Sequence, residues 1–263
     1  MRRTLRRVLS VGVMAVAIVL WPLAAVAHPL GNFTINVYSG IHLKPGEVRI
    51  DYVVDMAEIP TFQEVPNVDA DGDGTASDAE RAKWADRTAP KLLSNLSLSV
   101  GDRPVELRVV SSSVRLGPGQ GGLSILRLEA TFGGSVADVG TIRYRDDNYP
   151  GRIGWREITA VGEDGAAVER SSVPADSVSD ALLSYPGDLL SSPLHVTEAT
   201  IVYAPGVSVP VAPEPGTQGP RGARADVTGG AFPDLVSRTG LPLVALSILL
   251  AGGFGALHAL GPG

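Results

Sequence analysis

The sequence lacks cysteine altogether in its 263 residues. Disulfide bonds, thiolate metal sites and cysteine nucleophiles are therefore excluded, so a folded domain depends on its hydrophobic core or on bound ions. The sequence also lacks Gly-x-Ser-x-Gly, His-Glu-x-x-His and phosphate-loop motifs, and the acidic pair at 146–147, followed by Asn-Tyr-Pro, indicates a turn. Nothing here predicts an enzyme. Metal ligands must come from carboxylates, carbonyl groups and four histidines.

Basic residues are scarce once the N-terminus is set aside. The whole chain carries 22 basic and 28 acidic residues, a net charge of −6. Residues 1–27 contain four arginines and no acidic residue, so the remainder carries 18 basic and 28 acidic residues, a net charge of −10. Nucleic-acid binding requires a basic surface that neutralises phosphates, so this balance predicts no nucleic-acid partner.

Residues 1–27 have the three parts of a secretory signal peptide. Four arginines form a basic start, residues 8–23 are almost wholly apolar, and Ala25-Val26-Ala27 supplies small side chains at a cleavage site. An uncleaved membrane anchor is the alternative, but the apolar run is short and ends in the cleavage pattern. We expect cleavage after Ala27. His28 would then present an α-amine beside its imidazole, two nitrogens that either chelate a transition metal or belong to an ordered terminus.

Charged residues are absent from 239–263. These 25 residues exceed the roughly 20 that a helix needs to cross the hydrocarbon core of a bilayer, so they predict a transmembrane helix. Residues 206–238 contain recurring proline and glycine and few large apolar side chains, which is typical of an extended linker. The sequence therefore predicts a cell-membrane protein whose residues 28–238 are extracytoplasmic.

Residues 28–205 predict one domain built mainly from β-strands. Apolar and polar residues alternate on both sides of Lys44-Pro45-Gly46, a type II turn sequence, which predicts a hairpin with one buried face. Further strands are predicted at 96–100 and 105–110 about the turn at 101–102, at 124–132, at 141–145 and at 153–161. Short strands with frequent turns favour a sandwich-like β domain with an inserted loop and helix.

The strongest chemical motif, residues 69–80, resembles a complete EF-hand calcium loop. Ca²⁺ binds six to eight oxygens, and this spacing supplies carboxylates at loop positions 1, 3 and 5, a backbone carbonyl at 7 and a bidentate carboxylate at 12. Gly74 falls at position 6, where the sharp turn requires glycine. The predicted ligands are Asp69, Asp71, Asp73, Thr75 through its carbonyl, Ser77 directly or through water, and Glu80.

The surroundings of this loop differ from those of an ordinary EF-hand. Ser77 and Glu80 also form a capping-box sequence, which is compatible with a calcium loop but leaves the three aspartates unexplained. Pro60 and Pro66 argue against a regular entering helix, and Pro90 predicts a break in the exiting helix. Because the sequence contains no second loop, we expect a structural site with a Kd of roughly 10⁻⁴ to 10⁻³ M, as in extracellular modules.

Residues 255–263, Gly-Ala-Leu-His-Ala-Leu-Gly-Pro-Gly, are similar to the start of the signature of the NicO family of nickel/cobalt transporters. Residues 28–34 and 144–150 resemble the extracytoplasmic region of longer members of this family. The resemblance implies a bundle of several membrane helices, of which this chain contains the first, with further helices expected beyond Gly263. It implies Ni²⁺ or Co²⁺ as the transported ion. His258, an imidazole within a charge-free segment, is the candidate residue of the metal path.

Two functions therefore remain open. The first is the N-terminal portion of a nickel/cobalt membrane transporter with a calcium-binding extracytoplasmic domain. The second is a membrane-anchored calcium-binding module without transport activity, in which His258 lies at a helix end and contacts no metal. Continuation beyond Gly263 with histidine, glycine, lysine and more apolar segments favours the first, whereas a stop codon or a short basic tail favours the second.

Overall fold

The computed structural model describes residues 29–206, and this part of the chain forms ten strands and two α-helices. Both helices, α1 (Glu58–Val68) and α2 (Asp78–Leu93), lie between the second and third strands. The domain is therefore mainly β, as the sequence predicts. The strands are β1 (Ile35–Lys44), β2 (Glu47–Met56), β3 (Leu96–Val100), β4 (Arg103–Pro104), β5 (Arg108–Pro118), β6 (Ser124–Ser135), β7 (Gly140–Asp146), β8 (Arg156–Gly162), β9 (Ala166–Ser171) and β10 (Glu198–Pro205).

The strands form two five-stranded sheets that share one hydrophobic core. Sheet 1 has the order β5-β6-β2-β1-β8, and sheet 2 has the order β4-β3-β7-β10-β9. Neighbouring strands pair antiparallel except β1 and β8, which run parallel. Buried side chains from both sheets, such as Ile41 and Ile50 from the first and Ile142 and Tyr203 from the second, belong to the same core cluster. Each sheet thus buries a face that neither could bury alone.

The predicted hairpin is formed by β1 and β2. Lys44 pairs with Glu47 at the turn, and Gly46 has a φ of 75°, the left-handed value that a type II turn requires at its third residue. The prediction of a single buried face is wrong, because Tyr38 and Val53 are buried in a second apolar cluster on the same two strands. That cluster includes side chains from residues 181–194, which cover these strands.

The strand predicted at 105–110 is only partly right. A hairpin forms about the turn at 101–102, in which β3 pairs with the two residues of β4 and Val105 N donates to the Leu98 carbonyl over 2.9 Å. The chain then joins sheet 1, where β5 pairs with β6. Alternating apolar residues identify a strand with a buried face, but they do not identify its sheet when both sheets contribute to one core.

Both helices contain prolines that were expected to interrupt them, and this prediction is wrong. Pro60 lies in the first turn of α1, where backbone N–H groups have no intrahelical acceptor, so it costs no hydrogen bond. Pro66 in α1 and Pro90 in α2 lie further along, yet both helices continue past them. Each interior proline costs about 3 kcal/mol. In α2, burial of large side chains offsets this cost, since Trp84 and Leu92 contribute about 1.5 to 3 kcal/mol each.

A buried ion pair anchors the segment at 146–150, which the sequence indicates only as a turn. Arg156 Nη2 lies 3.2 Å from Asp146 Oδ2, and the two residues are 5% and 3% exposed. The Tyr52 hydroxyl donates to the same Asp146 oxygen over 3.0 Å, and the Asn148 N–H donates to Oδ1 over 2.8 Å. Burial raises the pKa of Asp146, and the Arg156 guanidinium opposes that rise. The segment is therefore fixed to the core.

Candidate metal site

The loop between α1 and α2 brings three aspartate carboxylates together. One oxygen from each of Asp69, Asp71 and Asp73 lies within 4.8 Å of the other two. Two oxygens bound to one Ca²⁺ at 2.3–2.6 Å are at most about 5 Å apart, so this separation fits a single ion. These residues occupy positions 1, 3 and 5 of the predicted calcium loop.

Backbone hydrogen bonds to Asp69 give the loop its shape. Gly72 N donates to Asp69 Oδ1 and Gly74 N donates to Oδ2, each over 2.9 Å. Gly74 has a φ of 87°, which agrees with the sharp turn predicted at position 6 and which residues with a β-carbon rarely adopt. The first carboxylate of the loop is therefore oriented by the backbone of the turn that follows it.

The next two carboxylates are oriented in the same way. Asp71 Oδ1 accepts from Asp73 N over 3.1 Å, and Asp73 Oδ1 accepts from Thr75 N over 2.7 Å. A carboxylate has about four acceptor positions, so one backbone hydrogen bond leaves most of them available to an ion. Thr75 follows directly after this acidic turn, where its carbonyl is the predicted ligand at position 7.

The Glu80 carboxylate spans the two ends of the loop. Its Oε1 accepts from the N–H groups of Ala70 at 2.7 Å and Asp71 at 3.2 Å. Its Oε2 accepts from Ser77 N at 2.9 Å and from the Ser77 hydroxyl at 2.6 Å. These hydrogen bonds, led by the one from the Ser77 side chain, lower the pKa of Glu80 to about 2. Within residues 29–206, the carboxylate cluster does not include Glu80.

Ser77 and Glu80 form the capping box that the sequence predicts. Ser77 is the N-cap of α2, and its hydroxyl oxygen accepts from Glu80 N over 3.3 Å. In return, Glu80 accepts from the Ser77 N–H. Glu80 can bind an ion through both oxygens only by giving up some of these bonds. Capping and metal binding therefore compete for the same two oxygens.

Side-chain hydrogen bonds connect the two helices beside the loop. Trp84 Nε1 in α2 donates to Glu64 Oε1 in α1 over 2.9 Å. Asn67 Nδ2 donates to the same Glu64 oxygen over 3.1 Å, and Arg87 Nη2 reaches the Asn67 carbonyl at 3.4 Å. The ends of the loop are thus held in position independently of any ion.

Several predicted features lie outside the described residues. These are the signal peptide at 1–27, His28, the linker beyond Gly206, the helix at 239–263 and His258 within it. In the part of the chain that the structure describes, no helix combines the length and the apolar character needed to cross a membrane.

A second charged cluster surrounds His42, which has no ligand pattern around it in the sequence. Its Nδ1 lies 2.6 Å from Glu163 Oε1, and its Nε2 lies 3.2 Å from Asp51 Oδ2. The hydrogen bond with Asp51, and then that with Glu163, raise the pKa of His42, while burial and Arg49 lower it. Arg49 and Lys44 also lie within 4.0 Å of these carboxylates, so the cluster is an ion-pair network. Parallel pairing of β1 with β8 brings Glu163 to this place, which no local pattern indicates.

Comparison with known proteins assigns no family to this chain. No protein-family model matches it, and no curated protein matches it significantly.

Proposed function

We propose that this chain is the N-terminal portion of a nickel/cobalt membrane transporter whose extracytoplasmic β domain binds Ca²⁺ at residues 69–80. The observation that carries the calcium assignment is the clustering of three aspartate oxygens within 4.8 Å at positions 1, 3 and 5 of a calcium loop. The transport assignment is supported by the resemblance of residues 255–263 to the start of the NicO signature.

The chemistry of the loop favours calcium over the transported metals. Every predicted ligand, from Asp69 to Glu80, is an oxygen atom, and hard cations such as Ca²⁺ prefer carboxylate and carbonyl oxygens. Ni²⁺ and Co²⁺ bind well to imidazole, and residues 69–80 contain no histidine. The proposal therefore assigns calcium to the loop and the transported ion to the segment that contains His258.

The position of the loop suggests what the ion does. α1 packs against β6 and α2 packs against β5, and the loop is the covalent link between these helices. A divalent ion offsets most of the negative charge of three neighbouring carboxylates that otherwise repel one another. In a chain without cysteine, such an ion can cross-link two helices as a disulfide would, which is suited to a calcium-rich medium outside the cell.

Direct calorimetric titration tests the calcium assignment. We expect the segment 28–205 to bind one Ca²⁺ with a Kd of roughly 10⁻⁴ to 10⁻³ M. Asp71→Asn removes a ligand charge and should weaken binding at least about 10-fold, by analogy with the cost of losing a charged contact. Asp78→Asn is the matched control, because Asp78 is exposed, pairs with Arg81 and occupies loop position 10, which supplies no ligand. Equal binding by the two variants would contradict the assignment.

Metal accumulation tests the transport assignment. The full-length gene product is expressed in cells that lack their own nickel and cobalt transporter, and its abundance is measured in the membrane fraction. We expect His258→Ala to abolish nickel or cobalt flux without changing membrane insertion, because imidazole is a good ligand for both ions. His195→Ala, an exposed histidine of the β domain, is the control and should retain flux. Wild-type flux from His258→Ala at equal abundance would favour the anchored calcium-binding module instead.

A further inference from the structure

A cleft of about 540 Å³ lies between the ends of β2, β5 and β6 and the segment 182–185. Its volume falls within the range of protein ligand pockets. None of the predicted calcium ligands lines it, so it is distinct from the acidic loop. Much of its lining is apolar and comes from Pro118, Ile125, Leu182, Leu183 and Tyr185. A ligand of this cleft therefore has an apolar portion.

One carboxylate of the cleft is buried with a single hydrogen bond. Glu58, the first residue of α1, lines the cleft and is 0% exposed. Its Oε1 accepts from Gln120 N over 2.9 Å, whereas its Oε2 has no hydrogen-bond partner within residues 29–206. A buried carboxylate oxygen without a donor carries a desolvation cost, which a ligand that donates to this oxygen would remove.

The loop at 119–120 fixes the orientation of this carboxylate. Gly119 also lines the cleft, and a β-carbon added to it would lie 2.8 Å from Glu58 Cγ and 3.0 Å from Glu58 Oε1. Only glycine allows the backbone to approach the Glu58 side chain so closely. Because Gln120 N binds Oε1, the oxygen that remains for a ligand is Oε2.

The two arginines that line the cleft are paired with other carboxylates. Arg115 Nη2 and Arg127 Nε lie 3.1 Å and 2.7 Å from Glu129 Oε1, which is outside the lining. Arg127 Nη1 lies 3.9 Å from Asp55 Oδ2. Neither guanidinium forms an ion pair with Glu58 in the described part of the chain. The charge of Glu58 is therefore not compensated by the arginines beside it.

The cation that suits this carboxylate is organic. A metal ion bound by a protein needs several oxygen or nitrogen ligands. Among residues 29–206, the group of side chains that could hold a metal ion is the acidic loop and does not include Glu58. An ammonium group needs no such set, because it donates a charge-assisted hydrogen bond to one carboxylate oxygen. Carbon atoms attached to the ammonium would match the apolar lining.

One wall of the cleft is held in place by contacts within the domain. Residues 180–182 have φ values of 48°, 50° and 69°, which residues other than glycine seldom adopt and which persist only where surrounding contacts impose them. Arg127 Nη2 donates to the Ala181 carbonyl over 2.7 Å. The Tyr185 ring packs edge-on against Trp155, with ring centroids 5.4 Å apart. A wall that is already ordered lowers the entropic cost of binding a ligand.

We propose that this cleft binds a small organic ammonium ion with an apolar body. The N–H groups of the ion donate to Glu58 Oε2, and its carbon chain packs against Ile125, Leu182 and Tyr185. The ion and Ca²⁺ bind at different places, since no predicted calcium ligand lines the cleft. The inference is independent of calcium binding and of metal transport.

Calorimetric titration of the full chain in detergent tests this site, with the heat of titration into detergent alone subtracted. The probe is n-butylammonium, which we expect to bind at one site with a Kd of about 1 mM or tighter. Butanol keeps the carbon chain without the charge, and tetramethylammonium keeps the charge without N–H donors. Each of these should bind at least about 10-fold more weakly. No binding of n-butylammonium, or equal binding of either control probe, would overturn the proposal.

A substitution at Glu58 tests the contact itself. Glu58→Gln retains the size of the side chain and the oxygen that accepts from Gln120, but it replaces Oε2 by an amide nitrogen that donates. We expect n-butylammonium to bind this variant at least about 10-fold more weakly. Glu169→Gln, a change at an exposed carboxylate on β9, is the control and should retain binding. Circular dichroism verifies that both variants fold. Equal binding by a folded Glu58→Gln would overturn the proposal, and the comparison of probes on the unsubstituted chain decides the matter without any variant.

An alkylammonium group occurs both in free amines and in lysine side chains of other proteins. Nα-acetyl-lysine N-methylamide presents the four-carbon ammonium of n-butylammonium on a peptide backbone. Weaker binding of this probe than of n-butylammonium would identify a free amine as the ligand, and tighter binding would identify a lysine. Both results support an ammonium site, provided that Glu58→Gln weakens binding of the tighter probe. If Glu58→Gln leaves that binding unchanged, the proposal is overturned.

Discussion

Calcium is expected to raise the melting temperature of the segment 28–205, which contains both apolar clusters of the domain. An ion that binds only the folded state stabilises it by RT ln(1 + [L]/Kd). For a Kd of about 10⁻⁴ to 10⁻³ M and about 10 mM Ca²⁺, this gives about 1.4 to 2.7 kcal/mol. In a domain of this size each kcal/mol shifts the melting temperature by about 2 to 4 °C, so the expected shift is about 3 to 11 °C.

Two substitutions separate the two roles of Glu80. Glu80→Gln removes a charge and one acceptor oxygen, so it should abolish most of the rise in melting temperature that calcium causes. It should also lower the melting temperature in chelator, because the Glu80 carboxylate accepts four hydrogen bonds there. Ser77→Ala removes the N-cap and should cost about 1 kcal/mol in chelator. Because position 9 of such loops often binds through water, Ser77→Ala should retain most of the calcium shift.

Thermal melts followed by circular dichroism at pH 7 measure these effects. Each protein is melted in chelator, in about 10 mM Ca²⁺ and in the same concentration of Mg²⁺, which controls for ionic strength and tests selectivity. At this pH Glu80 is ionised, since its hydrogen bonds with Ser77 lower its pKa to about 2. If the wild type and Glu80→Gln show the same shift between chelator and millimolar calcium, the loop is only a capped turn and the reasoning is refuted.

Other predictions concern the core, the charged cluster and processing. Asp146→Asn should destabilise the domain by about 3 to 5 kcal/mol in urea unfolding, because it leaves a buried guanidinium without its counter-ion. The control is Asp147→Asn, a change at an exposed residue, which should alter the free energy of unfolding by no more than about 0.5 kcal/mol. His42 should titrate above its ordinary pKa of 6.5 in NMR spectra, and Asp51→Asn should lower that pKa. The contribution of protonated His42 to the stability of the folded domain is therefore fully present below pH 6.5 and is lost as the pH rises through the pKa of the folded state. Terminal sequencing of the exported protein should show cleavage after Ala27, and a mature chain that retains the first 27 residues would contradict this.

Features specified by neighbouring residues could be predicted from the sequence. The β1–β2 hairpin follows from local alternation about a Pro-Gly turn, and the loop follows from acidic residues at fixed intervals within twelve positions. The start of α2 follows from the capping box of Ser77 and Glu80. Each of these signals is carried by residues close together in the sequence, where backbone geometry relates spacing directly to position in space.

Features that depend on distant residues could not be predicted. The partner of Asp146 is a buried arginine on another strand, and His42 pairs with Glu163, a residue 121 positions away in the sequence. The prolines wrongly predict interrupted helices, because packing against the sheet offsets the lost hydrogen bond and no local sequence pattern reports that packing. In α2, Trp84, Ala85 and Ala89 are buried while Ala82 is exposed, because tertiary contacts select the buried face.

The parallel pairing of β1 with β8 governs the order in which this chain can fold. The β1–β2 hairpin can form within about 1 to 10 μs once both of its strands are available. The strand that covers its other edge follows 119 residues later, which at about 5 to 20 residues per second takes roughly 6 to 24 s. For all of that time, β1 presents unpaired backbone groups and apolar side chains to whatever is nearby. A chain truncated before residue 156 would therefore keep an unpaired sheet edge on β1, which makes it prone to aggregation.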